Sequence, residues 1–277
     1  MPFERRTRQQ VEQRRVLGTP GRPLPWHERT VIKLYRAGID GHVAEPTALA
    51  SLHHANIAPR LEDTVTVNGR IGLVLERLDG DDMLTLLQHR PWHMPGMART
   101  FAHAILRVHQ ILAPTDLPNL IEVLDTQINA ADVDPRRRQL ALRTLKTLPA
   151  GDRLCHGDLH PGNAIVTTTG TRIIDWPAAT RGQPSADLAR ILLLLRQADP
   201  QPDTPWGARI LLAAGRSTFA NIFEHAYRNA TRHRPSNMNA WTLVNAAARL
   251  AEGIAAERAH LIKAIDAASH PAKFPNT

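Results

Sequence analysis

His156-Gly157-Asp158-Leu159-His160-Pro161-Gly162-Asn163, closed a few residues later by Ile173-Ile174-Asp175-Trp176, decides how this chain is read. Pro161 and Gly162 break any helix, so Asp158 and Asn163 belong to a loop. Residues 164–166 are a short apolar run, residues 167–170 a polar turn and residues 172–175 a second apolar run, which together signal a hairpin. A hairpin folds back on itself, so Asp175 at its far end returns to the loop that began it. Asn163 and Asp175 then face one point, with Asp158 close by.

An amide oxygen and a carboxylate suit Mg²⁺, which takes few protein ligands and completes its shell with water and phosphate oxygens. A second carboxylate beside the metal can accept a proton from an alcohol. These are the parts of a phosphoryl-transfer site: a base, two metal ligands and a nucleotide between them. Protein kinases carry the same order of catalytic Asp, Asn a few residues on, and later metal Asp. A lone Asp in a Gly/Pro loop is usually a turn former. Here its partners stand at the spacing the chemistry needs.

The stretch HGDLHPGN followed by IIDW resembles the catalytic loop and metal segment of the aminoglycoside phosphotransferase and choline kinase family of kinase-like small-molecule kinases. The similarity runs from about Val31 to about Ala246. It implies Asp158 as catalytic base, Asn163 and Asp175 as Mg²⁺ ligands, and ATP or GTP as phosphoryl donor. It implies a hydroxylated small-molecule acceptor: an antibiotic such as an aminoglycoside, with resistance as the consequence, or a sugar or amino alcohol. His160 fits a second histidine of that family, with a second-shell role or a substrate contact both open. Asp187, in PSADLAR, resembles a buried carboxylate that props the catalytic loop; beside Ser185 it also suits a helix N-terminus. His156 reads as a hydrogen-bonded structural histidine.

The implied fold is α/β (α+β), a two-lobed protein-kinase-like fold. Residues 1–80 would form a small antiparallel-sheet lobe with one helix, and residues 81–277 a larger, mostly helical lobe that binds the acceptor. Leu17 to Gly21 is the candidate phosphate-covering loop. It is reduced relative to the family pattern, and Pro23 and Pro25 follow it. Residues 1–26 show no clear pattern apart from a short Arg-rich helix signal at residues 7–16. Residues 29–35 alternate and are β-branched, a strand with Lys33 in its middle. A lysine among apolar residues needs an anionic partner. By resemblance the partners are the nucleotide phosphates and Glu45, at the start of a helix opened by Pro46.

Residues 61–67 and 70–76 are strands joined by Asn68-Gly69, a strong hairpin signal. By resemblance the hinge follows, where backbone groups of Glu76 to Leu78 meet the adenine edge. Helices are expected over residues 83–89, 94–112, 118–131, 135–148, 187–197, 208–228 and 239–268. His109 in the second of these reads as a core-facing structural residue. In the last, Trp241, Arg249, Glu252 and Glu257 read as packing or helix-surface residues.

The 277 residues carry a formal net charge of +8 and 43% hydrophobic residues. That is a globular composition with enough chain for a sizeable core. No run approaches the length of a membrane span, and the N-terminal MPFERRTRQQ lacks the apolar segment of a signal peptide. The single cysteine, Cys155, permits no internal disulfide and reads as a core-facing strand residue; a cytoplasmic location is the expectation. The basic charge alone motivates nucleic-acid binding, but no aromatic-interleaved basic patch accompanies it, so the charge is read as a solvated Arg-rich surface. It also argues against a polycationic acceptor. A protein kinase is disfavoured because no activation segment separates Asp175 from Asp187. The remaining alternative is a nucleotide-binding, pseudokinase-like scaffold without turnover, motivated by the reduced Gly loop.

Overall fold

Four antiparallel strands and one helix build the first layer of the molecule. The computed structural model describes residues 24–27, 29–35, 43–197, 206–231 and 235–269. The proposed phosphate loop at Leu17 to Gly21 and the Arg-rich N-terminal segment lie outside them. The elements of this layer are β1 (Leu24–His27), β2 (Thr30–Leu34), α1 (Ala44–Leu52), β3 (Leu61–Val67) and β4 (Arg70–Glu76), with sheet order β1-β2-β4-β3. The β3–β4 hairpin turns on Asn68 and Gly69, both at positive φ (50° and 72°). Two successive left-handed residues match the twist of a two-residue hairpin turn. Strand β1 has no counterpart in the sequence reading, because Pro25 argues against a strand. It survives as the sheet edge, where only one side must pair.

The chain then runs through β5 (Gly80–Asp82), α2 (Met83–His89), α3 (Met94–Val108), α4 (Leu120–Ala130) and α5 (Pro135–Leu145). Three of these helices start on a side-chain cap. Asp82, Asn119 and Asp134 each accept from a backbone N–H of the first turn, and Pro135 fills the first position of α5. Next come β6 (Arg153–Cys155), β7 (Ala164–Thr167), β8 (Gly170–Ile173), β9 (Thr180–Gly182), α6 (Pro184–Gln197), α7 (Trp206–Ala230), α8 (Met238–Arg249) and α9 (Arg258–Ser269). Strands β7 and β8 are the hairpin read from the sequence, and β5 pairs along β7. Strand β6 pairs with β9, so the segment from His156 to Ala179 is gripped at both ends by strands.

One apolar cluster joins the two layers. It runs from Ala48, Leu49 and Leu52 on α1 through Leu73, Ile173 and Trp176 to Phe101, Ile191 and Phe223. A second, formed by α4, α5, α8 and α9, centres on Leu124, Ile128, Trp241, Val244 and Leu261. The sheet therefore sits on the helical part through side chains that also flank Asp175.

Two helix expectations need correction. The 94–112 pattern ends at Val108, where the chain turns to bridge Leu112 to Arg153. The 239–268 pattern is not one helix. It ends at Arg249, passes through a 3₁₀ turn at Leu250–Glu252 and reverses at Gly253, whose φ of 68° has no place in a right-handed helix. Apolar periodicity continues across the break, which hides it from a pattern reading. Among the described residues no helix is long and apolar enough to cross a membrane.

Candidate active site

The loop before β7 is held from beneath by Asp187. This carboxylate, in the first turn of α6, is almost fully buried. It accepts from the backbone N–H of His156 at 3.0 Å and of Gly157 at 2.9 Å, and bonds His109 Nε2 at 3.0 Å. Tyr227 Oη lies 2.7 Å from the other ring nitrogen of His109. Gly157 must be glycine: its φ is 82°, and a Cβ there would stand 2.4 Å from the Ala178 carbonyl oxygen. His156 is wholly buried. Its Nε2 lies 3.0 Å from the Ile174 carbonyl, and its Nδ1 accepts from the Asp158 N–H at 3.3 Å. That pattern assigns a neutral ring with the proton on Nε2. Cys155 is buried and its thiol is pushed well up by burial, so it is no nucleophile.

The titrations of His156 and Asp187 act in one direction. Burial lowers the His156 value below its ordinary 6.5, against the opposing pull of nearby carboxylates. Burial alone would raise Asp187, but the bonds from His109, His156 and Gly157 outweigh it and hold the carboxyl below its ordinary 3.8. Both groups bind protons more weakly folded than unfolded. Their stabilisation is full above the unfolded values and is lost as pH falls through the lower folded values, beginning below about 6.5 for His156 and below about 3.8 for Asp187. The melting temperature is expected to fall steadily from about pH 7 to about pH 5, and His156→Gln to flatten that part of the profile, as measured by pH-resolved thermal denaturation.

Above this base stand Asp158 and Asn163. The Asn163 amide nitrogen donates to the Asp158 carbonyl at 3.0 Å, which leaves its side-chain oxygen as the group available to a cation. The Ile174 N–H donates to the Asn163 carbonyl at 3.0 Å, so the residue before Asp175 is tied to Asn163. Asp175 itself has φ 68°, an uncommon conformation for a residue other than glycine. Its side chain is 45% exposed. His160 accepts from the Gly162 N–H at 3.1 Å, capping the short turn that carries Asn163. Among the described residues no group of three His, Cys, Asp or Glu could hold a metal on its own. One carboxylate and one amide oxygen fit a cation whose remaining ligands are phosphates and water.

From the sheet, Lys33 reaches into the same place. Its Nζ lies 2.6 Å from Glu45 Oε2 and 2.5 Å from Asp175 Oδ1. Glu45, 1% exposed, also accepts from Tyr35 Oη and from the Trp176 N–H at 3.1 Å. One buried carboxylate thus ties β2, α1 and the segment after β8 together. Burial and the Glu45 charge push the Tyr35 phenol far up, so it stays a donor. The hinge residues are arranged differently. The Glu76 carboxylate is engaged by Arg172 at 2.9 Å and by the Arg60 N–H at 3.1 Å, and its own N–H donates to the Arg60 carbonyl. A nucleotide role for Glu76 is therefore confined to its main chain. Leu78 is half-buried between β4 and β5.

The sequence reading missed the cations around Asp158. Arg190 Nη2 lies 3.8 Å and Arg249 Nη1 3.9 Å from Asp158 Oδ1. Both are held: Arg190 bonds the Gly157 carbonyl at 3.1 Å and Glu252 at 2.5 Å, and Arg249 bonds Glu252 at 2.8 Å and grips Glu257 with two nitrogens. Burial would lower the Arg249 value, but Glu257 and Glu252 raise it further, so the guanidinium stays charged. Arg249, Glu252 and Glu257 are thus neighbours of the loop, not plain helix surface. For Arg190 a signal existed: it follows Asp187 by one helical turn and so faces the same loop. A cavity of about 430 Å³ opens beside Asp158, walled by α4, the segment 177–180, Arg190 and Glu252.

With this geometry in hand, the comparisons decide the family. The family model described as "Phosphotransferase enzyme family" matches residues 16–235. The chain belongs to that family. Its fold is that of kinase-like small-molecule phosphotransferases. The aminoglycoside-3′-phosphotransferase of type VIII superposes with a TM-score of 0.56 at 20% identity, over 80% of this chain and 84% of that one. A choline/ethanolamine kinase family protein from Mesorhizobium loti gives 0.56 at 14% identity, over 90% and 84%. The amicoumacin kinase in complex with AMP-PNP, Ca²⁺ and Ami gives 0.59 at 13% identity, over 86% and 81%. At these identities the likeness carries the fold alone. No curated protein matches the sequence of this family member.

Proposed function

We propose that this phosphotransferase moves the γ-phosphoryl group of a nucleoside triphosphate, ATP or GTP, to a hydroxyl of a small molecule bound in the cavity beside Asp158. The observation that carries the reading is the hydrogen-bonded meeting of Lys33 with Glu45 and Asp175, beside a loop whose Asn163 bonds the Asp158 carbonyl and accepts from the N–H of Ile174, the residue before Asp175. Asn163 and Asp175 would hold Mg²⁺, which neutralises phosphate charge when bound. Lys33, aimed by Glu45, would meet the α/β phosphates. Asp158 would take the hydroxyl proton. Its side chain is 46% exposed, and both arginine contacts fall on Oδ1. Arg190 and Arg249 flank the carboxylate at 3.8 and 3.9 Å. Catalysis would come from positioning and charge neutralisation. The main chain from Glu76 to Leu78 is the proposed adenine contact, and the division between lobes is proposed near residue 80.

The neighbours add support. The amicoumacin kinase was captured with a triphosphate analogue and a divalent cation, in a fold this chain shares. The test is Mg²⁺-dependent ADP or GDP release with a panel of hydroxylated antibiotics, sugars and amino alcohols. Stimulation by an acceptor is the expected result. Tight Mg·nucleotide binding with no release for any acceptor would favour the scaffold reading instead.

A further inference from the structure

The cavity beside Asp158 has few charges to offer a ligand. Of its carboxylates, Asp187 is sealed beneath the loop by three donors, and Glu252 bridges Arg190 and Arg249. Asn245 spends its amide nitrogen on the Ala186 and Trp241 carbonyls. With Asp187 set aside as spent on its three donors, two arginines stand against three carboxylates among the described residues, Asp158, Glu252 and Glu257, which leaves one net negative charge. That charge is Asp158, which the reaction itself needs. The opposite wall is apolar: Leu120, Val123 and Leu124 of α4, with Pro118, Pro177 and Ala178. The volume of about 430 Å³ lies at the small end of ligand pockets.

An ammonium group taken from water into such a site keeps its hydration cost unless a carboxylate meets it. A polyamine would bring several ammonium groups to a cavity where, among the described residues, no carboxylate besides Asp158 is left without a close partner. We infer that the acceptor is a hydroxylated molecule with at most one positive charge and an apolar face, which packs on α4 while its hydroxyl meets Asp158. This rests on the reading of the cavity as the acceptor site of a phosphotransferase. The partly exposed Gln127, one helical turn beyond Val123 on the cavity wall, is a neutral position at which a carboxylate can be introduced.

The experiment measures acceptor-dependent ADP release by the full chain at saturating Mg·ATP, with nucleotide binding followed on the same samples. One panel holds kanamycin, neomycin and streptomycin; the other holds aryl and alkyl glycosides and aryl amino alcohols. At least one low-charge acceptor is expected to exceed every polyamine in kcat/KM by about 100-fold, with a value that changes less than about twofold between low and high salt. Gln127→Glu is expected to raise kanamycin affinity several-fold while leaving Mg·ATP binding unchanged. A polyamine that saturates below millimolar concentration, with kcat/KM falling steeply as salt rises, overturns the inference and leaves the phosphotransferase reading standing. So does failure of every low-charge acceptor on protein that binds Mg·ATP. Absence of binding of both Mg·ATP and Mg·GTP overturns both.

Discussion

Asp158→Asn is expected to lower kcat for acceptor phosphorylation by about 10³-fold while leaving Mg·ATP affinity within about twofold. The substitution keeps the size of the side chain and removes its capacity to take a proton. The loop should hold its shape, because its supports do not pass through the Asp158 carboxylate. Those supports are Asp187 on the His156 and Gly157 N–H groups, and Asn163 on the Asp158 main-chain carbonyl. The two arginines keep Glu252 and Glu257 as partners, so little stability is lost with the charge. Single-turnover kinetics with isothermal titration of Mg·ATP separate the two effects. An asparagine variant with near wild-type turnover would sink the base assignment.

Glu45→Gln is expected to act on both stability and nucleotide use. Glu45 is the hub for Lys33 Nζ, Tyr35 Oη and the Trp176 N–H. Its charge balances a lysine whose side chain is 8% exposed. Breaking a buried ion pair from one side costs about 3 kcal/mol or more, because the remaining charge is left without its partner. Asp175 then remains as the carboxylate facing Lys33, and it is the residue proposed to hold metal. Because Asp175 still pairs with Lys33, the variant should lose less than that, about 1–3 kcal/mol in denaturant unfolding. Its KM for Mg·ATP should rise at least about tenfold, since Lys33 would keep its bond to Asp175 and lose the carboxylate that aims it from the other side. Lys33→Ala in the same background tests the coupling. If the two losses simply add, the lysine and glutamate do not work as a unit.

The proposed reaction assigns these effects to different steps. Asp158 belongs to the chemistry, Lys33 and Glu45 to holding the donor, and the α4 wall to the choice of acceptor. Asp187 and His109 serve all three by fixing the loop from below. An acid-induced loss of stability through His156 and Asp187 would reach turnover through that same loop.

Much of the site was legible because its determinants are local. Pro161 and Gly162 force the loop, residues 164–173 alternate into the β7–β8 hairpin, and Asn68-Gly69 closes β3 on β4. In each case turn chemistry and side-chain period decide the structure within a dozen residues, so the linear pattern suffices. Lys33 was legible for another reason: a lysine in an apolar strand demands an anion, and the family resemblance pointed to Glu45 as one source of it. The tertiary structure decided what crosses long separations. It set Lys33 against Asp175, 142 residues away, and made the Pro25 strand an edge. It broke the last helical pattern at Gly253, which turns Glu252 toward Arg190 and Glu257 onto Arg249. No periodicity encodes those meetings, because a side chain's partners across the cleft depend on how packed helices are rotated and where they end. The family resemblance and the catalytic loop were therefore readable from the chain itself. The charge and the apolar wall of the acceptor cavity came only from packing.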